Sequence, residues 1–286
     1  TTEMSDTVIR NISTSNTTTF NQLVAVYLAG SANVHDCIIT NNMVRRSGYG
    51  TVTIASANAA LRRSLVKDNT HIRVESRNGN FAGGVCISAG TLEDCVIDGN
   101  AVKGSSLDDT IYAGGLCISG SNTKIRRCVI SNNRSVGTAA AAGVYAHTGS
   151  TSPYQDLLII NNEGSTGKAG GLQIGNSGAT FAHCTIYGNT LTANTTGTPG
   201  AYITTGKLIN SIVYGNGVGD TRFTTNNVIK ESAGTLTSCN VSCAYEADLG
   251  TGNVAGNPYL VDPENGDYGL TLVSPGRDAG VTVTGA

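Results

Sequence analysis

The chain has 286 residues, 37 of them glycine, with 13% charged residues, no tryptophan and a net charge of −2. So small a charge without a basic run argues against a nucleic-acid partner, and no apolar stretch approaches the roughly 20 residues of a membrane-spanning helix. The even texture argues for one elongated unit rather than two domains, and no signal peptide is visible to assign a compartment.

From the N-terminus, Thr7 with Ile9 opens a partial repeat. Full repeats follow, each with a small residue (once Leu157) and an aliphatic one two positions on: Cys37/Ile39, Ser64/Val66, Cys95/Ile97, Cys128/Ile130, Leu157/Ile159, Cys184/Ile186, Ser211/Val213 and Cys239/Val241. Three positions further stand Asn42, Asn69, Asn100, Asn133, Asn162, Asn189 and Asn216. A second strand follows a glycine ahead of most pairs: GGVCIS from Gly83, GGLCIS from Gly114, AGVYAH from Ala142, GGLQIG from Gly170 and GAYITT from Gly200. Short alternating strands split by Gly and Asn turns, without helical periodicity, predict an all-β chain. Repeats this short, with few hairpin turns, predict a single parallel β-helix of about eight to nine coils. Residues 1–253 form the helix and 254–286 a closing cap of the same domain.

Stacking gives each column a reason. The asparagines form a ladder of buried amides bonded from coil to coil. The cysteine column accepts Ser and Leu, so it wants a small buried side chain rather than redox chemistry. The column before it reads Asp36, Arg63, Asp94, Arg127, Asp156, His183 and Asn210, which sets opposite charges on neighbouring rungs. Cys86 and Cys117 share a column within reach of a disulfide, or stack as thiols. Cys239 and Cys243 are a weaker pairing signal. No CxxC occurs and no histidine stands beside these cysteines in their columns, which argues against zinc.

The Gly-Gly-aliphatic strand with CxIxxN resembles the parallel β-helix repeats of bacterial surface and secreted proteins. It is similar to the GGAI and FxxN repeats of chlamydial polymorphic outer-membrane proteins. The segment NPYLVDPENGDYGLTLVSPGRDAG, 257–280, resembles the closing motif of β-helix proteins of Bacteroidetes and other polysaccharide-handling bacteria. The resemblance implies a secreted or cell-surface location and a right-handed, pectin-lyase-like β-helix, a fold that hosts lyases, hydrolases, adhesins and tailspikes alike.

Enzymes of this fold set carboxylates on the outer face of one sheet, and lyases add calcium. The outward columns of the Gly-Gly strand here read Thr53, Cys86, Cys117, Tyr145, Gln173, Tyr202, Ile229 and then Ala55, Ser88, Ser119, His147, Gly175, Thr204, Glu231. One carboxylate in these columns is no metal site, so no cofactor is expected, and calcium enters only under a lyase reading. A catalytic constellation would instead lie in loops 69–83 and 100–114. These carry His71, Arg73, Glu75 and Arg77, and Lys103, Asp108, Asp109 and Tyr112. The competing reading is two solvated loops holding each other by ion pairs.

Two functions follow. One is a recognition or structural module, adhesin-like or carbohydrate-associated, whose partner is a polysaccharide or a surface protein; Tyr145, Tyr187, Tyr202 and Tyr214 are its glycan-contact candidates. The other is a polysaccharide lyase or glycoside hydrolase. Two further expectations concern apolar surface. Tyr259, Val261, Leu270 and Leu272 should anchor the cap, whose removal should cause aggregation. The strip Ile38, Leu65, Val96, Val129, Leu158 and Ile212 should be a covered contact face. The N-terminal end has no equivalent cap, so its first coil is expected to fray or to continue into upstream sequence.

Overall fold

The computed structural model describes residues 2–14, 24–45, 49–72, 80–103, 111–136, 141–165, 167–192, 197–223, 227–237, 239–241 and 252–283. Among them, regular structure is β throughout apart from two 3-10 turns, Gly219–Phe223 and Pro263–Asn265. Three parallel sheets of 13, 10 and 6 strands run along one solenoid, with a two-stranded antiparallel ribbon in the tail. The second sheet stacks ten strands from Val8–Arg10 to Val254–Ala255, one more rung at each end than the clearest repeats predict. Thr7 and Ile9 therefore belong to a complete rung, paired with Ile38–Thr40.

One coil shows the plan. Strand Asn80–Glu93 lies in the first sheet, Val96–Asp98 in the second and Ala101–Lys103 in the third. Inward side chains repeat from coil to coil: Ile39, Val66, Ile97, Ile130, Ile159, Ile186 and Val213 are all fully buried, facing Ile87, Ile118, Ile174 and Ile203 of the first sheet. Stacking like on like packs a continuous core that no single coil could bury alone.

The corners correct the strand reading of the charged column. Asp36, Arg63, Asp94, Arg127, Asp156, His183 and Asn210 all have φ between 42° and 56°, so they form the left-handed turn between first and second sheets. Asp and Asn tolerate this conformation, whereas arginine does so less readily. Cross-coil ion pairs offset that cost: Arg63 holds Asp36 at 2.7 Å and Arg127 holds Asp94 at 2.7 Å. The Arg63 hydrogen bond, assisted by His35, pulls Asp36 down to about 2. Glu93 sits among Arg62, Arg126 and Arg127; burial alone would raise its pKa, and the guanidiniums hold it below the usual range.

A second left-handed corner, Asn41, Asp68, Gly99, Asn132, Asn161, Gly188 and Gly215, precedes each ladder asparagine. The ladder is then continuous. Asn42 Nδ2 donates to Asn69 Oδ1 at 2.9 Å, and the same bond recurs through Asn100, Asn133, Asn162, Asn189 and Asn216. Each amide also donates to a backbone carbonyl of the preceding coil, as Asn100 does to Val66 at 2.9 Å. The last rung is Asn227, which accepts from Asn216 at 2.6 Å. It stands where earlier coils carry the second glycine of the Gly-Gly pair, because Ala201 pairs with Val228.

Those glycines are required by the ladder. A Cβ on Gly115 would lie 2.8 Å from Asn133 Nδ2 and from Ile130 Cγ2, and Gly84, Gly143, Gly171 and Gly200 meet their own asparagines in the same way. Gly115→Ala should therefore destabilise by about 1–3 kcal/mol, the usual cost of overpacking. Chemical denaturation would read the change, and a neutral substitution would contradict this packing.

The small-residue column has a second role that size alone did not reveal. Ser64 Oγ and Ser211 Oγ each donate to the carbonyl two residues back at 2.7 Å, and Cys95 Sγ does the same at 3.2 Å. Cysteine and serine thus stand in for each other as buried donors at the corner. Burial pushes the thiols of Cys95, Cys184 and Cys239 up to about 12, which keeps them protonated and inert.

The tail departs from its expected anchors. Tyr259, Val261 and Leu272 point to solvent, Leu272 being 83% exposed, while Pro258 and Ser274 are buried and Leu270 is half-buried. It is held along the side of the rod by polar links two and three coils back. Tyr187 Oη donates to Glu264 at 2.9 Å, Arg222 pairs with Glu264 at 3.0 Å, and Asn210 exchanges two hydrogen bonds with Val281. The aliphatic strip beside it keeps part of its surface in water: Val96 is 37% exposed, and Val129 and Leu158 are half-buried.

Candidate functional site

The outer face of the first sheet gathers the largest set of chemically useful side chains. Parallel register places Tyr27, Thr53, Cys86, Cys117, Tyr145, Gln173, Tyr202 and Ile229 in one column. This column is not the solvated strand face that alternation predicts. The chain bends at the Gly-Gly pair and folds a second column, Ala82, Ala113, Ala141 and Ala169, against it as a small outer core. Tyr145 and Tyr202 are consequently only 7% and 6% exposed, so they do not present flat rings to solvent as expected.

Tyr145 lies over Gly175, where a Cβ would come within 2.9 Å of its hydroxyl oxygen, and its ring centre is 6.1 Å from that of His147. One rung separates it from Tyr202, whose hydroxyl donates to Glu231 Oε1 at 2.6 Å and accepts from Lys168 Nζ at 3.3 Å. The Lys168 ammonium also stands 4.8 Å from the Tyr202 ring centre, a cation–π arrangement. Burial, then Glu231, raises the pKa of Tyr202 against the opposing pull of Lys168, so this hydroxyl stays protonated and serves as a hydrogen-bonding group rather than a base. Between the two tyrosines sits Gln173, 8% exposed, whose Oε1 is buried without a hydrogen-bond partner. Further down, Cys86 and Cys117 are register partners and hydrogen-bonded thiols; that bond and burial push Cys117 up.

The loop constellation is placed only in part. Strand ends Ile72 and Lys103 pair, and the chain resumes with Asn80 opposite Ile111, so the two insertions leave neighbouring coils on the same side, as predicted. Arg73, Glu75, Arg77, Asp108 and Asp109 lie outside the described residues. Tyr112 has its backbone in strand Ile111–Ala113, and Lys103 is exposed. His71 is a correction. It points inward in the column Val44, His71, Val102 and is fully buried against Phe81, out of reach of any substrate. Burial lowers its pKa to about 4, outweighing the nearby backbone of Tyr49 and Ala82, which do not meet hydrogen-bond geometry with its ring nitrogens.

Tyr187 and Tyr214 are register partners in the second sheet, but the tail lies over them. Tyr187 is 4% exposed, and its ring packs edge-on against Tyr268 at 5.6 Å. Among the described residues, no three His, Cys, Asp or Glu side chains gather closely enough to hold a metal ion, and no helix is long and apolar enough to cross a membrane.

A family model described as a right-handed β-helix region matches residues 65–238, more than half of the chain. The chain belongs to the right-handed β-helix family. No curated protein and no solved structure matches it. Within this β-helix, sequence reasoning overlooked Lys168 and the pairing of Tyr202 with Glu231. Lys168 stands just ahead of the Gly-Gly bend, and only the coil register brings it to Tyr202 on the next rung.

Proposed function

We propose that this β-helix is an extracellular or cell-surface recognition module that binds a polysaccharide on the outer face of its first sheet. The observation that carries the reading is Gln173. An acceptor buried without a partner costs about 1–3 kcal/mol, and it lies between two tyrosines beside Lys168, Tyr202 and Glu231. A polyhydroxylated chain running along the rod meets the exposed rim formed by Lys168 and Glu231, and its hydroxyls donate to Gln173 when that side chain turns outward from between the two tyrosines. The rigid stack sets the spacing of these groups without ordering cost at binding.

The test is a panel of polysaccharides scored both for retention and for new reducing ends or unsaturated products, with and without calcium. Retention without turnover is expected for at least one polymer. Gln173→Leu should lose at least tenfold in affinity while the fold stays as stable as before or gains stability, since it removes an unsatisfied group. Turnover abolished by Glu75→Gln or Asp109→Asn would instead assign the chain to the lyases or hydrolases, with their site in loops 69–83 and 100–114.

A further inference from the structure

The tail and the second sheet border an open cavity of about 510 Å³, lined by Tyr187, Tyr214, Tyr259, Asn257, Thr271 and Val273 among others. That volume falls within the range of small-ligand sites, which are mostly apolar with a few placed polar groups. Three observations distinguish it from a packing gap. Thr271 Oγ1 is buried without a hydrogen-bond partner. Tyr259 is held at φ 51°, a conformation that bulky residues rarely adopt, yet its side chain is 49% exposed and gains little burial in return. That strain is imposed from both sides: Asn257 Oδ1 accepts from Tyr259 N at 2.8 Å, and Tyr259 O accepts from Thr271 N at 3.0 Å. Backbone strain maintained by such a clamp is characteristic of ligand sites.

The chemistry of the walls selects the ligand. None of the lining side chains is a carboxylate, an amine or a guanidinium, and the nearby Glu264 and Arg222 neutralise each other at 3.0 Å. Tyr214 and Tyr259 offer aromatic surface suited to the C–H face of a sugar ring, while Tyr187 closes the floor behind them. The Thr271 hydroxyl and the Asn257 amide nitrogen, whose oxygen is already engaged, can meet ring hydroxyls. We propose that this cavity is a second carbohydrate site, separate from the first-sheet face, which takes one neutral pyranose ring between Tyr214 and Tyr259. It shares the carbohydrate reading above but none of its residues.

The experiment is saturation-transfer NMR on the full chain with the methyl pyranosides of glucose, galactose and mannose and with N-acetylglucosamine as probes. At least one probe should receive saturation, and Tyr259→Gly should weaken it at least fivefold. Glycine accepts the positive φ, so this variant should keep the tail seated, with an unchanged circular dichroism spectrum and unfolding midpoint. Thr271→Val should weaken the same probe, whereas Gln173→Leu should leave it unaffected. Transfer to none of the probes, or transfer insensitive to Tyr259→Gly, would overturn the proposal. Loss of polymer retention in Gln173→Leu alone, beside intact pyranoside binding, would show that the two sites succeed or fail separately.

Discussion

Asn133→Ala is expected to lower stability by about 3–5 kcal/mol, enough to unfold a marginal chain. Its amide donates to Ile97 O at 2.9 Å and to Asn162 Oδ1 at 3.0 Å, and its oxygen accepts both the backbone N and the side-chain Nδ2 of Asn100. Alanine removes all four bonds and leaves the backbone N–H of Asn100 buried without that acceptor. Such an orphan costs about 1–3 kcal/mol, beyond the modest net worth of the bonds themselves. Asn133→Asp should do no better, because it loses the donors and buries a charge between two acceptors. Chemical denaturation followed by circular dichroism reads the loss. A change below about 1 kcal/mol would mean that the ladder is decoration rather than structure.

The buried ring of His71 should make stability fall with acid. Its folded pKa of about 4 lies below the ordinary value of 6.5, so the unfolded chain binds more protons between these values. The stability from keeping the ring neutral is fully present above about pH 6.5 and drains away as pH falls toward 4. A gap of this size corresponds to roughly 3 kcal/mol. His35, raised by its hydrogen bonds to Asp36 and Glu3, works in the opposite sense and loses its contribution as pH rises. The clean readout is therefore the difference between wild type and His71→Val, the residue type on both neighbouring coils. That variant should be as stable as wild type or more so at pH 7.5, having removed two unpartnered ring nitrogens. At pH 4.5 its advantage should grow by about 2–3 kcal/mol. Parallel stability curves for the two proteins would contradict the buried, neutral ring.

How much of this was legible follows from which features repeat. The asparagines, the inward aliphatics and the small-residue column recur in nearly every coil, and spacing alone gives each its place in the stack, though not the donor role of the small-residue column. Features that depend on a bend were not. The left-handed corner occupied by Arg63 and Arg127 looked like strand, because charged residues in alternation fit both readings. The Gly-Gly bend that folds Ala113 and Ala141 over Cys117 and Tyr145 turned a nominal outer face into a second core. Features that occur once were hidden too. Asn227 terminates the ladder from a glycine position, and the tail is fastened through Glu264 and Asn210 rather than through its apolar residues. The candidate site suffered most, since pairing Lys168 with Tyr202 and Tyr202 with Glu231 requires the coil register to be known. The glutamine at 173 shows nothing special until its neighbours enclose it.

The proposed polysaccharide site is the outer face of the first sheet. Chemical-shift mapping of the isotope-labelled chain, titrated with a fragment of whichever polymer it retains, tests this most directly. Perturbations are expected to cluster on the Gln173 side-chain amide and on the backbones of Tyr145, His147, Lys168, Tyr202 and Glu231, with the Asn ladder silent. Perturbations confined to the opposite sheets or to loops 69–83 and 100–114, with Gln173 unmoved, would contradict it.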